Sequence, residues 1–469
     1  MEPIESSAFE DFHGGQLVVD LPHMKRVLDV VVNRLGVGLD TTEVDLPPTR
    51  KPSGELGIRT NRDLDLALIA FEKASLEARA TALRNDPDFL RAFKDAEPAV
   101  YRGKRPDSKI PDLDLLLFKL RQEFTREFTG WAPEMGKNRV ADGIEGSPGM
   151  SGGGVNGSGA KWPEPANEAS FDQTVVPPSD VRKRNQEAIR IGLLDTRLFD
   201  VNRRFSGAQT RSDDRLILGR EPVPQSAGHG TFVAGRIMAR VPHASLIVRA
   251  VLDSEGARAA LWDMAEAMVA LGRNKVQVFN MSWVYTTADH EPSLILNRAL
   301  ACVREVNSDI VLVAAAGNHG ESPDRPSAAL HRGSREPLPP NRPVHPAATP
   351  GVIGVGAFKA GTELKTPEPA DFSPQPAPWI SLGAPGDKVV STYLKGTVIV
   401  KAEDEHGVVQ DKDVEFTQDF AQWSGTSFAA GYVTGEIVRL MGAEDISAPT
   451  AVHRLLQGIP DNAVQPYAQ

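Results

Sequence analysis

Cysteine is all but missing from this chain. Cys302 is the one residue of its kind among 469, so no disulfide can form within the chain, which fits a reducing compartment. It lies in Arg298-Ala299-Leu300-Ala301-Cys302-Val303, a run that reads as helix, and is expected to be a small buried apolar side chain. Long apolar runs are missing too: none approaches the ~18 residues that suggest a membrane span. The first residues, MEPIESSAFEDFHGG, have neither a basic nor an apolar stretch of the kind that opens a signal peptide. The expectation is a cytoplasmic protein with no membrane partner. Positive charge is not in excess. With 52 Lys and Arg against 62 Asp and Glu the net charge is −10, which argues against nucleic acid as the main partner, since such domains carry a basic patch.

Hydrophobic residues make up 41% and charged residues 24%, ordinary for a soluble globular chain with a sizeable core. The length allows two or three domains, or one large α/β domain with an appendage. Residues 1–142 are expected to form a separate, mainly helical domain. Gln16 to Asp20 reads as a short strand. Met24, Val27, Leu28, Val31 and Leu35 then follow helical spacing, with Asp20 as N-cap and Gly36 just past the end. A second helical stripe runs Leu64, Leu68, Phe71, Ala74, Ala78, Ala82. A third runs Leu113, Leu116, Leu117, Leu120, Phe124, Phe128. These stripes read as packing faces. From Gly143 the chain turns to Gly, Ser and Pro (SPGMSGGGVNGSGAKWPEP), a composition typical of flexible linkers, and residues 143–175 are assigned to one.

Residues 176–469 have a different grammar. Short apolar runs stand at Ile189–Leu194, Leu246–Val251, Val276–Met281, Ile310–Ala316 and Val352–Ala357. Helical patterns alternate with them (Leu261, Met264, Met268, Leu271; Ile295, Ala299, Cys302, Val306). That alternation implies a parallel sheet with helices on both faces, where ligands bind beyond the carboxyl ends of the strands. Val398 and Val400, then Val414 and Phe416, alternate around Glu403-Asp404-Glu405-His406-Gly407 and read as a hairpin inserted between Thr397 and Thr417.

Four polar groups follow these runs. Asp195 ends the first, where an acid is well placed to orient a histidine and also suits a cap or a salt bridge. His229 sits in Gly228-His229-Gly230-Thr231-Phe232-Val233-Ala234-Gly235; small neighbours let its helix pack closely, and neutral imidazole can take a proton near neutral pH. Ser427, in Trp423-Ser424-Gly425-Thr426-Ser427-Phe428-Ala429-Ala430-Gly431, opens a helix, beside backbone N–H groups that lack intrahelical partners; a plain N-cap is the alternative. Asn318 follows a strand in Ala314-Ala315-Ala316-Gly317-Asn318-His319-Gly320, a turn composition that alone says little.

Taken together, in the order Asp, His, Ser, these pieces resemble the subtilisin-like serine peptidase family. His345-Pro346-Ala347-Ala348-Thr349-Pro350-Gly351 and Ala384-Pro385-Gly386 resemble further segments of it. The resemblance spans roughly residues 185–457 and is silent on residues 1–140. It implies a subtilisin-like α/β fold and a catalytic set of Asp195, His229, Ser427 and Asn318. His229 would act as base, Asp195 would hold it, and Asn318 with the Ser427 N–H would bind the oxyanion. It also implies substrate binding through Ser282, Trp283, Val284 and Gly317, with protein or peptide as substrate and no cofactor or metal needed. The chain departs from the family pattern at Arg197, Phe232 and Gly431, and at Val284 and Tyr285, where two glycines are usual, implying a narrower pocket. A selective endopeptidase is expected, its N-terminal domain inhibiting it or recruiting a partner protein, and the linker is a sensible place for self-cleavage. An inactive binding module on the same fold and a peptide ligase or cyclase are the competing readings.

Overall fold

In a computed structural model, the described residues are 4–7, 10–40, 57–97, 107, 110–143, 162–171, 188–200, 204–205, 207–209, 212–219, 221–320, 342–361, 367–375, 377–403, 409–459 and 462–467. They fall into two compact units. One is Met1–Val140 with Ala260–Glu266 and Thr286–Cys302; the other is Ala141–Ala259, Ala267–Tyr285 and Val303–Gln469.

The first unit holds the expected helices and a sheet that the sequence showed only in part. The strand foreseen at Gln16–Asp20 runs from Glu10 to Asp20. It pairs antiparallel with Leu66–Ala70 on one side and Met135–Asp142 on the other, and Ile58–Asn61 pairs with Leu66–Ala70. The helical stripe from Leu64 to Ala82 is corrected. Leu68 lies in a strand, and helix Lys73–Arg84 buries Leu76, Ala80 and Leu83 instead of the three alanines; larger apolar side chains took the core side. Helix Asp112–Glu127 buries Leu113, Leu116, Leu117, Leu120 and Phe124 as the spacing requires. Asp20 makes no side-chain cap; its carboxylate meets His23. Gly36 has φ +71°, the left-handed conformation that ends helices. Cys302 is half-buried, its Sγ 2.8 Å from the Asp63 carbonyl oxygen.

The second unit is built on a parallel sheet. Its strand order is Ile380–Pro385, Ile353–Phe358, Val311–Ala315, Val278–Met281, Arg190–Asp195, Ser245–Ala250, Ala208–Gln209, with Gln465–Pro466 antiparallel at the first edge. All five apolar runs of the sequence are strands here. Arg190–Asp195 is central, with the next long strand, Ser245–Ala250, on one side and Val278–Met281 on the other. The chain therefore reverses its direction of winding at the Asp195 strand, the place where open α/β sheets gather ligands. Within the stretch assigned to a linker, residues 144–161 and 172–175 lie outside the described residues. Residues 162–171 do not behave as a spacer: Trp162 and Phe171 pack on the core, and Glu164–Pro165 pairs with Phe420–Trp423.

Two helices, His229–Met238 and Thr426–Glu444, hold the candidate residues His229 and Ser427. The first is buried along its whole length, the second from Thr426 to Val438. They cross at glycines. A Cβ on Gly435 would come within 2.8 Å of the Ile237 carbonyl oxygen and 2.9 Å of Arg240 Cβ, and one on Gly431 within 3.3 Å of the Val233 carbonyl oxygen. At Gly435 a side chain would force a neighbour to shift, and at Gly431 it would be a tight fit. An ion pair, Arg240 Nη2 to Glu436 Oε2 at 3.0 Å, ties the helices together. Burial alone would raise the Glu436 carboxyl pKa; the Arg439 hydrogen bond, with the charges of Arg439 and Arg240, holds it below the usual range. The inserted hairpin is present as Gly396–Glu403 and Val409–Phe416, antiparallel. Val398, Val400 and Phe416 are buried in the main core. Among the described residues no helix is long and apolar enough to cross a membrane.

Replacing Gly435 by Val should push the helices apart. Overpacking of this kind costs ~1–3 kcal/mol, and a displacement of ~1 Å at a reacting group costs about 10²-fold in rate. Urea unfolding and fluorophosphonate labelling of the variant should both show the loss; wild-type behaviour in both would mean the crossing is not constrained.

Candidate active site

Asp195 is the last residue of the central strand and is fully buried. His229 is the first residue of its helix and 1% exposed. Its Nδ1 lies 2.7 Å from Asp195 Oδ1, which also accepts the Thr196 N–H at 2.8 Å. With Asp195 an acceptor, Nδ1 carries the proton and Nε2 presents its lone pair; Nε2 has no partner among the described residues. Glycines on either side of His229 are required by contact. A Cβ on Gly230 would stand 2.6 Å from the Thr196 carbonyl oxygen, and one on Gly228 2.1 Å from the Tyr393 ring. Aromatic rings wall the imidazole: Phe428 at 5.8 Å and Trp423 at 6.1 Å between centroids. Phe232 packs on Phe428 at 4.2 Å, as part of the same apolar cluster.

Ser427 stands in the first turn of Thr426–Glu444, one residue inside, with Gly425 as the N-cap. It is therefore not the cap. Its hydroxyl donates to the Ser282 carbonyl oxygen at 3.1 Å, and the Ser282 hydroxyl donates to the Ser427 carbonyl oxygen at 3.1 Å. No hydrogen bond joins Ser427 to His229 among the described residues. Such bonds are often long in a free enzyme and tighten with substrate bound.

Asn318 follows strand Val311–Ala315. Its Oδ1 accepts from Thr426 N and from Thr426 Oγ1, both at 3.0 Å, which fixes the amide so that Nδ2 remains to donate. Thr426 was not singled out in the sequence, although it sits in the serine motif; its hydroxyl also contacts Gly317 N at 3.2 Å and the Gly317 carbonyl oxygen at 3.1 Å. Thr196, which braces Asp195 and accepts the Gly230 N–H at 2.9 Å, was likewise missed. Arg197, one of the departures, points to the Asp213 carbonyl oxygen at 3.1 Å.

Ser282, Trp283 and Val284 are buried just past Val278–Met281. Val284 pairs antiparallel with Asp142: Asp142 N donates to the Val284 oxygen at 2.8 Å and Val284 N to the Asp142 oxygen at 2.9 Å. Gly143 N donates to the Ala257 oxygen at 2.6 Å. Tyr285 pairs with His345 through two backbone bonds of 2.8 and 2.9 Å. The hairpin braces the turn before His229. Lys401 N donates to Gln225 Oε1 at 2.9 Å, and the Tyr393 hydroxyl donates to the Gln225 oxygen at 2.8 Å. Among the described residues no group of three His, Cys, Asp or Glu is placed to hold a metal.

Residues 169–459 match the family model described as subtilase family. The chain belongs to the subtilase family. It is 28% identical over 241 residues to mycosin-3 of Mycobacterium tuberculosis, covering 44% of this chain and 49% of that protein. It is 27% identical over 223 residues to subtilisin E of Bacillus subtilis, covering 46% and 45% respectively. The chain thus spans about half the length of these curated relatives. In fold it is similar to fervidolysin from Fervidobacterium pennivorans, a keratinolytic enzyme related to subtilisin, with TM-score 0.52 and 15% identity over 99% of this chain and 61% of that one.

His319, beside Asn318, is 4% exposed. Burial pushes its pKa down to about 4, against a partial lift from the hydrogen bond to the Arg342 oxygen. Unfolded, it takes its proton near 6.5. Its contribution to stability is therefore complete above that value and declines as pH falls from 6.5 towards 4, by about 3 kcal/mol in all. An imidazole NMR titration of the folded protein should give a midpoint near 4; one near 6.5 would contradict the burial.

Proposed function

We propose that the chain is a serine endopeptidase in which Ser427 attacks a peptide carbonyl, His229 Nε2 takes the hydroxyl proton, and Asp195 steadies the imidazolium. A rotation about the Ser427 Cα–Cβ bond turns its hydroxyl from the Ser282 carbonyl towards His229. The acyl-enzyme forms as the leaving amine takes the proton from His229, and water then repeats the sequence to release the acid. Asn318 Nδ2 and the Ser427 N–H stabilise the oxyanion. The observation that carries this reading is the buried Asp195–His229 bond of 2.7 Å, which leaves the other imidazole nitrogen bare in the unit that holds Ser427 and an amide fixed by Thr426. An inactive module has no use for a buried, unpartnered Nε2, whose desolvation is costly.

A fluorophosphonate should label the wild type and not Ser427→Ala. Asn318→Ala should keep the label but lose ~10²–10³ in turnover, the size of the effect in subtilisin, the worked case for this donor. An unlabelled wild type would remove the assignment. A ligase or cyclase would show itself as transpeptidated product in mass spectra.

We also propose that residues 1–142 regulate this site in a cytoplasmic enzyme. The reading is favoured by the pairing of Asp142 with Val284, since an extended peptide bound by strand addition would use the same backbone groups. Asp142→Pro removes the donor to the Val284 oxygen. Initial rates on an added peptide should rise several-fold in that variant. Unchanged rates, with no cleavage mapped in residues 143–167 of the wild type, would count against regulation by this segment.

A further inference from the structure

Strand Val278–Met281 is apolar but for Asn280, and Asn280 is wholly buried. It lies in mid-sheet, opposite Leu193 of the Asp195 strand on one side and Val313 on the other. Burying an amide is costly unless its hydrogen bonds are made. Helix Thr426–Glu444 holds a similar exception. Thr434 is wholly buried in mid-helix, where a β-branched side chain loses rotamer freedom that alanine or leucine would keep. Packing alone favours neither residue at its position.

The two exceptions meet. Asn280 Nδ2 donates to Thr434 Oγ1 at 3.0 Å. The other end of the amide is used as well. The Ser282 hydroxyl donates to Asn280 Oδ1 at 2.8 Å, and the same hydroxyl lies 3.1 Å from the Ser427 carbonyl oxygen. Asn280 and Ser282, two positions apart, thus grip one helix at two places. Thr434 stands two turns beyond Ser427 on the same helix face, ~10 Å along the axis. A single contact would leave the helix free to roll or slide about it; two contacts so far apart do not. The strand that makes them also pairs with Arg190–Asp195, Met281 opposite Leu194. The helix that carries Ser427 is therefore registered against the strand that carries Asp195. Asn280, Ser282 and Thr434 are all 0% exposed, so bulk water does not compete for these bonds.

We infer that Asn280 and Thr434 are positioning residues: through Ser282 and directly, they fix the rotation and height of the Ser427 helix on the sheet, and so the place from which Ser427 attacks. The inference rests on the endopeptidase reading and adds to it two residues that touch neither substrate nor reacting atoms. Misplacing a reacting group by ~1 Å costs about 10²-fold in rate. Loss of the brace should thus lower the reactivity of the folded protein, whereas a merely structural bond would lower stability alone.

The rate at which a small fluorophosphonate modifies Ser427 tests this, followed by intact-mass spectrometry on the full chain and divided by the folded fraction from urea unfolding. Thr434→Val keeps the shape of the side chain and removes the acceptor; its rate should fall at least 10-fold. Thr434→Ser retains the hydroxyl and should label within 3-fold of the wild type. Should Thr434→Val be too unstable to measure, Asn280→Leu combined with Thr434→Val makes both partners apolar and leaves no amide unpaired; it should fold and still label at least 10-fold more slowly. A folded Thr434→Val or double variant that labels at the wild-type rate would overturn the inference, as would a Thr434→Ser protein as slow as Thr434→Val. Either result leaves the peptidase reading intact. A wild type that takes no label at all removes that reading, and this inference with it.

Discussion

The site depends on how closely two helices approach each other. His229 and Ser427 are 198 positions apart in the chain and are held near each other by the crossing of His229–Met238 with Thr426–Glu444. Gly431 and Gly435 allow that crossing because any Cβ there meets backbone or a neighbouring Cβ. Gly431, one of the departures from the family pattern, sits at this contact, beside Val233 and Arg236. The pair Arg240–Glu436 then bridges the two segments; removing one partner would leave an uncompensated buried charge.

Around the crossing, the polar groups act through intermediaries. Thr196 braces Asp195, Asp195 braces His229, and Thr426 braces Asn318. Each brace fixes a side chain that would otherwise have several rotamers, lowering the entropy cost of aligning the candidate site. The aromatic wall of Trp423, Phe428 and Phe232 keeps water from one side of the imidazole. Phe232 extends that wall through its contacts with Phe428 and Trp423.

Beside this arrangement, Asp142 and Val284 exchange both backbone hydrogen bonds, at 2.8 and 2.9 Å. Val284 and Tyr285 replace small residues, and their bulk is accommodated by burial and by the His345 pairing without disturbing the sheet.

The parallel sheet was legible in the sequence because a strand buried on both faces reads as an unbroken apolar run, and the five runs are too short for helices and alternate with helical patterns. The pairing of Asp195 with His229 was legible for a local reason: the glycines beside His229 are forced by contacts too close for larger side chains. Much of the first unit's sheet was not. Strands such as Leu66–Ala70 are short, and the same apolar residues also fit a helical stripe that only packing could reject. Nor could the sequence tell that Thr426 orients Asn318, or that His319 and Val344 both lie against Gly317. Those contacts join residues distant in the chain or set by the rotation of one peptide unit, and no local pattern encodes a distance that only the folded backbone defines.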